Sequence, residues 1–263
     1  MKCRLIGMDF DGTLLTDDKK VTEKTYKYLK KARETGILIV GITARPLGGV
    51  HDIIDKEAFD YLILNNGAYI YDVNNKMGYY KDKLDRNLAE QITKQVEKYA
   101  EQIDYCSGTT YYIYKGTPTK GLFFIKGVIS MAEIEEEIAR MNIFVTEDCD
   151  IKRLLEELIK NYPEVNPFMM QDSESTTKWI VVNPNNLNKK VTLEDLGKEL
   201  NISLEEMTFF GDGLNDLEVI EAVGSGVAMG NALDEVKKRA KDITLSNNED
   251  GIAHYIKTKI LKK

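Results

Sequence analysis

The apolar positions of this chain follow one rhythm at both ends and another in the middle. At the start, short continuous apolar runs alternate with segments of helical period. Leu5-Ile6-Gly7-Met8 reads as a buried strand. Glu23–Glu34 carries Tyr26, Leu29 and Ala32 on one helical face and is stopped by Gly36. Ile37–Ile42 is continuous enough for a central parallel strand. A short helix around Leu47–Ile54 and a strand Tyr61–Leu64 follow. Asn65-Asn66-Gly67 then makes a turn, and Tyr69-Ile70-Tyr71 and Met77–Tyr80 suggest a hairpin. The same rhythm returns near the end: helix Val191–Leu200, strand Met207–Phe210, helix Leu214–Val223, strand Gly226–Met229, helix Leu233–Ala240, short strand Ile243–Leu245 and helix Ile252–Ile260. Buried strands alternating with helices predict an α/β fold, with a Rossmann-like parallel sheet and right-handed crossovers.

The middle breaks this alternation. Arg86–Ile103 predicts a long amphipathic helix, Tyr111–Tyr114 and Leu122–Ile125 predict strands, and Ile134–Met141 and Ile151–Leu158 predict helices. Trp179–Val182 is strand-like and Asn183-Pro184-Asn185-Asn186 reads as a turn. Phe168-Met169-Met170 is more simply packing than a cofactor box, and Trp179 core. The expected division is therefore a core in two parts, 1–81 and 189–263, with a separate α/β unit inserted over 82–188.

Composition narrows the function. At 263 residues and 43% hydrophobic, the chain can bury a substantial core in one large or two medium domains. A net charge of −7 argues against a nucleic-acid partner but not against small anionic substrates, which respond to local fields. Cys3, Cys106 and Cys149 are odd in number and lack paired spacing, so neither a disulfide framework nor a zinc site is expected. No apolar stretch is long enough to span a membrane, and Asp9 and Asp11 interrupt the early apolar run that a secretory signal would need. A cytoplasmic location is the expectation. Oligomeric state is not legible.

The candidate chemistry sits where strands end. Asp9-Phe10-Asp11-Gly12-Thr13 closes the first apolar run, and Gly211-Asp212-Gly213-Leu214-Asn215-Asp216 closes another two hundred residues later. A buried strand ending in carboxylates is costly unless something there needs them, and a divalent cation with a reacting group is the plainest need. Two such ends suggest one shared site at the carboxyl edge of the sheet. The plainer alternatives are an Asp-Gly turn at Asp11-Gly12 and helix capping by Asn215 and Asp216. Thr43 follows the second strand, where a hydroxyl and main-chain N–H groups can seat an anion. Oxygen-only ligands suit Mg²⁺, and His51 and His254 are too isolated to suggest another metal.

Asp9-x-Asp11-Gly12-Thr13, Thr43, Lys189 and Gly211-Asp212-Gly213-Leu214-Asn215-Asp216, in that order, resemble the haloacid dehalogenase superfamily. Gly226-Val227-Ala228-Met229-Gly230-Asn231-Ala232 with Glu249-Asp250-Gly251 is similar to its Cof-type phosphatase branch. The resemblance covers both ends of the chain and little of the middle, where it implies a mobile cap. It implies a Mg²⁺-dependent phosphomonoesterase acting on small phosphorylated metabolites, either sugar phosphates or phosphorylated cofactors. Asp9 would be the nucleophile that forms an aspartyl-phosphate, and Asp11 the proton carrier. Asp9, Asp212 and the main-chain carbonyl of Asp11 would hold the ion, supported by Asp216. Thr43, Ala44, Lys189 and Asn215 would receive the phosphate. Ala44 replaces the family's usual Gly. The leucine register of Lys189-Lys190-Val191-Thr192-Leu193 selects Lys189 over Lys190. Arg45 could bind substrate or pair with an acid. Val181 and Asn186 stand where the branch often has Glu and Gly. A phosphomutase on the same core, or a non-catalytic regulator binding Mg²⁺ or a phospho-ligand, are the rival readings.

Overall fold

The computed structural model describes residues 3–117, 124–171, 177–185 and 187–262. The chain forms two compact units: Met1–Ala44, Val50–Gly78 and Asn188–Lys263 make the first, and Arg45–Gly49 with Tyr79–Leu187 the second.

The first unit opens with β1 (Leu5–Asp9), α1 (Glu23–Glu34), β2 (Leu38–Ile42) and β3 (Tyr61–Leu64), followed by β4 (Tyr69–Asp72) and by β5 (Met77–Tyr80), whose last two residues are counted in the second unit. The Thr22 side chain caps α1 by accepting from the Thr25 N–H, and Gly36, at φ +85°, turns the chain out of it.

The second unit holds α2 (Arg86–Val96), β6 (Ala100–Cys106), β7 (Tyr111–Lys115), β8 (Ile125–Gly127), β9 (Arg140–Val145), α3 (Ile151–Asn161), β10 (Val165–Gln171) and β11 (Lys178–Pro184). Its sheet runs β10-β11-β9-β6-β7-β8, antiparallel except for the β7–β8 pair. Ile103, Tyr105, Met141 and Ile143 join Ile92 and Val96 of α2 and Leu154 and Leu158 of α3 in an apolar core.

Several sequence expectations in this unit are corrected. The helix from Arg86 stops at Val96, and the residues from Ala100 on form β6. Ile103 and Tyr105 take one face of that strand and Asp104 pairs across to Asn142 on the other, a period of two that a helix cannot keep. The stretch expected as a helix over Ile134–Met141 is not helical, because Arg86 draws the carbonyls of Ile134 and Glu136 onto its guanidinium. Met141 instead belongs to β9, in the middle of the sheet. Phe168-Met169-Met170 falls within β10. The helix expected around Leu47–Ile54 shrinks to one 3₁₀ turn, Gly48–Val50, since Leu47 and Gly48 donate to the Gly108 and Thr109 carbonyls. Leu122, Phe123 and Asn186 lie outside the described residues.

The chain then completes the first unit with α4 (Lys189–Glu199), β12 (Met207–Gly211), α5 (Leu217–Ala222), β13 (Ser225–Ala228), α6 (Asp234–Arg239), β14 (Asp242–Ile243) and α7 (Gly251–Tyr255). The sheet order is β14-β13-β12-β1-β2-β3-β4-β5. From β14 to β3 every pairing is parallel, so β1, β2 and β12 all end at one edge. The order reverses at β1, with β2 and β3 on one side and β12 and β13 on the other. That switch point is where open α/β sheets leave a crevice for ligands.

Candidate active site

β1 places Asp9 at the switch point with only 8% of its surface exposed. Parallel register sets Met8 beside Phe210 and Asp9 beside Ile42, so Asp212 and Thr43 follow directly at the same edge. Past Asp9 the chain turns sharply. The Leu14 N–H donates to the Asp9 carbonyl at 3.2 Å and the Leu15 N–H to Phe10 at 2.8 Å. Gly12 makes this turn at φ +78°, where a Cβ would run into the Asp212 carboxylate. Both its left-handed backbone and that close approach require glycine. Thr13 then donates its hydroxyl to Asp212 Oδ1 at 2.9 Å, tying the two acidic motifs together.

Lys189 enters from the first turn of α4, whose Asn188 cap accepts from the Val191 N–H. Its Nζ lies 2.5 Å from Asp9 Oδ1 and 2.8 Å from Asp216 Oδ1, and the lysine is buried. Lys190, its neighbour, pairs instead with Glu194 on the helix surface at 2.6 Å. Asp216 also accepts from the Asp212 and Gly213 N–H groups, each at 3.2 Å. It thus braces the loop that carries Asp212 and holds the lysine at once.

Carboxylate oxygens of Asp9, Asp212 and Asp216 gather within 4.8 Å of one another. Three carboxylates against one ammonium leave a formal charge of −2, most of it out of water. Burial pushes Asp9 up to about 8 despite Lys189, with Asp216 and Asp212 adding to the rise. Burial, then Asp216, lifts Asp212 to about 6. Burial alone would lower the Lys189 ammonium, but Asp216 and Asp9 hold it above its usual range. Crowded carboxylates thus tend to take up a proton while the ammonium keeps its own. A divalent cation would bring the same set to neutrality, and its oxygen-only donors fit Mg²⁺.

The Asp11 side chain stands outside this group and pairs with Lys19 at 3.4 Å, both partly exposed. Thr43 is buried just past β2, its N–H bound to Ile63 and its carbonyl accepting from Asn66. Ala44 follows, half-buried, and Asn215 is exposed on the 3₁₀ turn Leu214–Asp216. Arg45 belongs to the second unit, where its charge acts on Tyr111.

Sequence reasoning assigned no role to Thr13, Asn66 or Asn231. Thr13 and Asn231 lie inside motifs that were recognised, so position within the motif was the available signal. Asn66 has φ +56° and a buried side-chain amide nitrogen with no hydrogen-bond partner among the described residues. Two consecutive asparagines before Gly67 were the hint of left-handed backbone there.

The sequence profile of haloacid dehalogenase-like hydrolases matches residues 6–256. The 5-amino-6-(5-phospho-D-ribitylamino)uracil phosphatase of Bacillus subtilis is 30% identical over 260 residues, spanning 98% of this chain and 96% of the relative. The pyridoxal phosphate phosphatase of Escherichia coli is 28% identical, spanning 97% of this chain and 98% of the relative. Among solved structures, a haloacid dehalogenase-like hydrolase from Bacteroides thetaiotaomicron superposes with a TM-score of 0.81 at 26% identity, covering 97% of this chain and 99% of that one.

Proposed function

The chain belongs to the haloacid dehalogenase-like hydrolases, in their Cof-type branch, and is a phosphatase; from that premise we propose a Mg²⁺-dependent phosphomonoesterase that works through an aspartyl-phosphate on Asp9. The observation that carries this reading is the buried Asp9 carboxylate at the sheet's switch point, held by Lys189 beside Asp212 and Asp216. The substrates are small phosphorylated metabolites, sugar phosphates or phosphorylated cofactors; the relatives' named activities, on a phosphoribitylamino-uracil and on pyridoxal phosphate, support that class.

Asp9, Asp212 and the main-chain carbonyl of Asp11 are the ligands assigned to Mg²⁺, with Asp216 behind them. When bound, the ion offsets the repulsion between these carboxylates and the phosphate. Two like charges about 4 Å apart repel by roughly 4 kcal/mol at an effective dielectric near 20.

The chain's own groups do the rest. Lys189 holds one Asp9 oxygen and leaves the other to attack phosphorus as the ester oxygen departs. Asp11 protonates that leaving oxygen, then takes a proton from the water that splits the aspartyl-phosphate, releasing phosphate and restoring Asp9. Lys189, the Thr43 hydroxyl, the main-chain N–H of Ala44 and the Asn215 amide receive the phosphate oxygens. Choice of leaving group is assigned to the inserted unit, since every motif with chemistry lies outside it.

Screening phosphorylated metabolites with phosphate release as the readout tests this. Activity is expected to vanish with excess chelator and return with Mg²⁺, whereas Ca²⁺, with its looser coordination, restores little. Full turnover by protein verified to be metal-free would overturn the reading.

A further inference from the structure

The loop that follows Asp11 is held from outside by three asparagines. Asn231, in the turn after β13, donates its amide to the Gly12 carbonyl at 2.7 Å and accepts the Asn247 N–H on its carbonyl oxygen at 3.0 Å. Asn247 is buried and donates to the Leu15 carbonyl and to Asp17 Oδ1, each at 3.0 Å. Asn248 exchanges two hydrogen bonds with Asp17, giving one to its carboxylate at 2.7 Å and taking one from its N–H at 3.1 Å. Residues 12 to 17 are thereby fastened to two segments more than two hundred positions away in sequence.

This clasp begins one residue after the group assigned to proton transfer. Gly12 is the next residue after Asp11; its carbonyl belongs to the Gly12–Thr13 peptide, so holding it, with Gly12 at φ +78°, limits how far the neighbouring Asp11–Gly12 peptide can swing. The far end of the same loop closes as a turn, with Lys19 N–H to Thr16 and Thr16 N–H to Lys20, and holds Lys19 at φ +57°. A left-handed lysine costs about 1 kcal/mol or more and persists only where its surroundings impose it. In that conformation Lys19 reaches Asp11. The loop is therefore tied down at its middle and presents a cation to Asp11 at its end. Of the three asparagines Asn231 makes the contact nearest Asp11, and a carboxamide both donates to Gly12 and accepts from Asn247.

We propose that Asn231 is a positioning residue for Asp11, and that Asn247 and Asn248 complete the clasp by anchoring the loop that carries Lys19. This rests on the assignment of Asp11 as the leaving-group acid. Asn231→Asp tests it with little risk to folding, because the position is exposed and the shape is kept. The variant keeps the acceptor for Asn247 but sets a carboxylate oxygen against the Gly12 carbonyl. A displacement of even 1 Å can cost about 100-fold in a positioned reaction. The expected result is a loss of roughly 10- to 100-fold in kcat/KM for an alkyl phosphate, a ratio that ends at departure of the leaving group and so does not include the later attack of water. An aryl phosphate, whose leaving group needs no proton, keeps its kcat/KM to within about threefold. Equal losses of kcat/KM on both esters, or no loss, would overturn the proposal.

The double variant Asp11→Asn/Asn231→Asp separates this proposal from the reading beneath it. If Asn231 acts through Asp11, the double variant is no slower than Asp11→Asn alone. Additive losses overturn the clasp. Equal losses of kcat/KM on both esters in Asp11→Asn alone would instead overturn Asp11 as the leaving-group acid.

Discussion

Among the described residues Lys189 is the one ammonium bonded within the three-carboxylate group, and it touches two of them. Removing one partner of a buried ion pair leaves charge uncompensated, at a cost of about 3–5 kcal/mol. Lys189→Met is therefore expected to lower the unfolding free energy, read from denaturant titration in cation-free buffer, by an amount of that order, and Mg²⁺ to restore part of it. An unchanged unfolding free energy would mean the lysine is not what offsets these carboxylates. Asp11→Asn makes a different demand, because it keeps shape and removes the proton. Turnover should fall by about 10²–10⁴, and kcat/KM most for alkyl phosphates, with substrate affinity nearly unchanged. Equal loss of kcat/KM on alkyl and aryl esters would remove Asp11 as the leaving-group acid. At this scale the acidic motifs were legible because carboxylates at the ends of apolar strands are expensive, and the leucine register picked out the lysine that reaches Asp9. The clasp was not legible. Asn231 and Asn247 act through carbonyls distant in sequence, and an asparagine's partners leave no mark on periodicity.

Elements of the first unit followed from the apolar rhythm, because buried parallel strands are continuous runs separated by capped helices. Glu23–Glu34 and Tyr61–Leu64 match the expected bounds. The second unit was harder to read, since its sheet buries polar groups on one face. Asp104 on β6 and Arg140 and Asn142 on β9 are all buried, and Asp104 accepts from Gln102 at 2.9 Å. Arg140-Met141-Asn142-Ile143 does alternate, but the run is short and joins directly to the apolar Ile134 and Ile138 before it, whose spacing also suits a helix. Burial raises Asp104 from 3.8 to about 6, against hydrogen bonds from Gln102 and Asn142. Between those values the folded state binds more protons than the unfolded one, so this group's contribution to stability falls as pH rises through the window. A rise from 3.8 to about 6 corresponds to about 3 kcal/mol. Asp104→Asn should therefore gain on the wild type by roughly that amount between pH 3.8 and pH 7, measured by urea unfolding. A stability difference that does not move with pH would contradict the raised Asp104.

For the whole chain, the sheet order and the switch point explain why residues as distant as Asp9, Lys189 and Asp212 converge. Alternating strands and helices imply that convergence in advance. The inserted unit was legible only as a break in rhythm, because its strands are set by pairings within the insertion and match no motif. A net charge of −7 adds a general requirement: an acidic protein binding a phosphate dianion needs local positive charge, here Lys189 and the assigned Mg²⁺. Every assigned role depends on Asp9 forming the covalent bond. The most direct test is to acid-quench the wild type during steady turnover of a phosphate ester and locate phosphoryl groups by peptide mass spectrometry, with Asp9→Ala as the partner sample. The account predicts a phosphoryl group on Asp9 in the wild type, and a folded Asp9→Ala protein that carries none and releases no phosphate. Wild-type-like phosphate release from folded Asp9→Ala would contradict it.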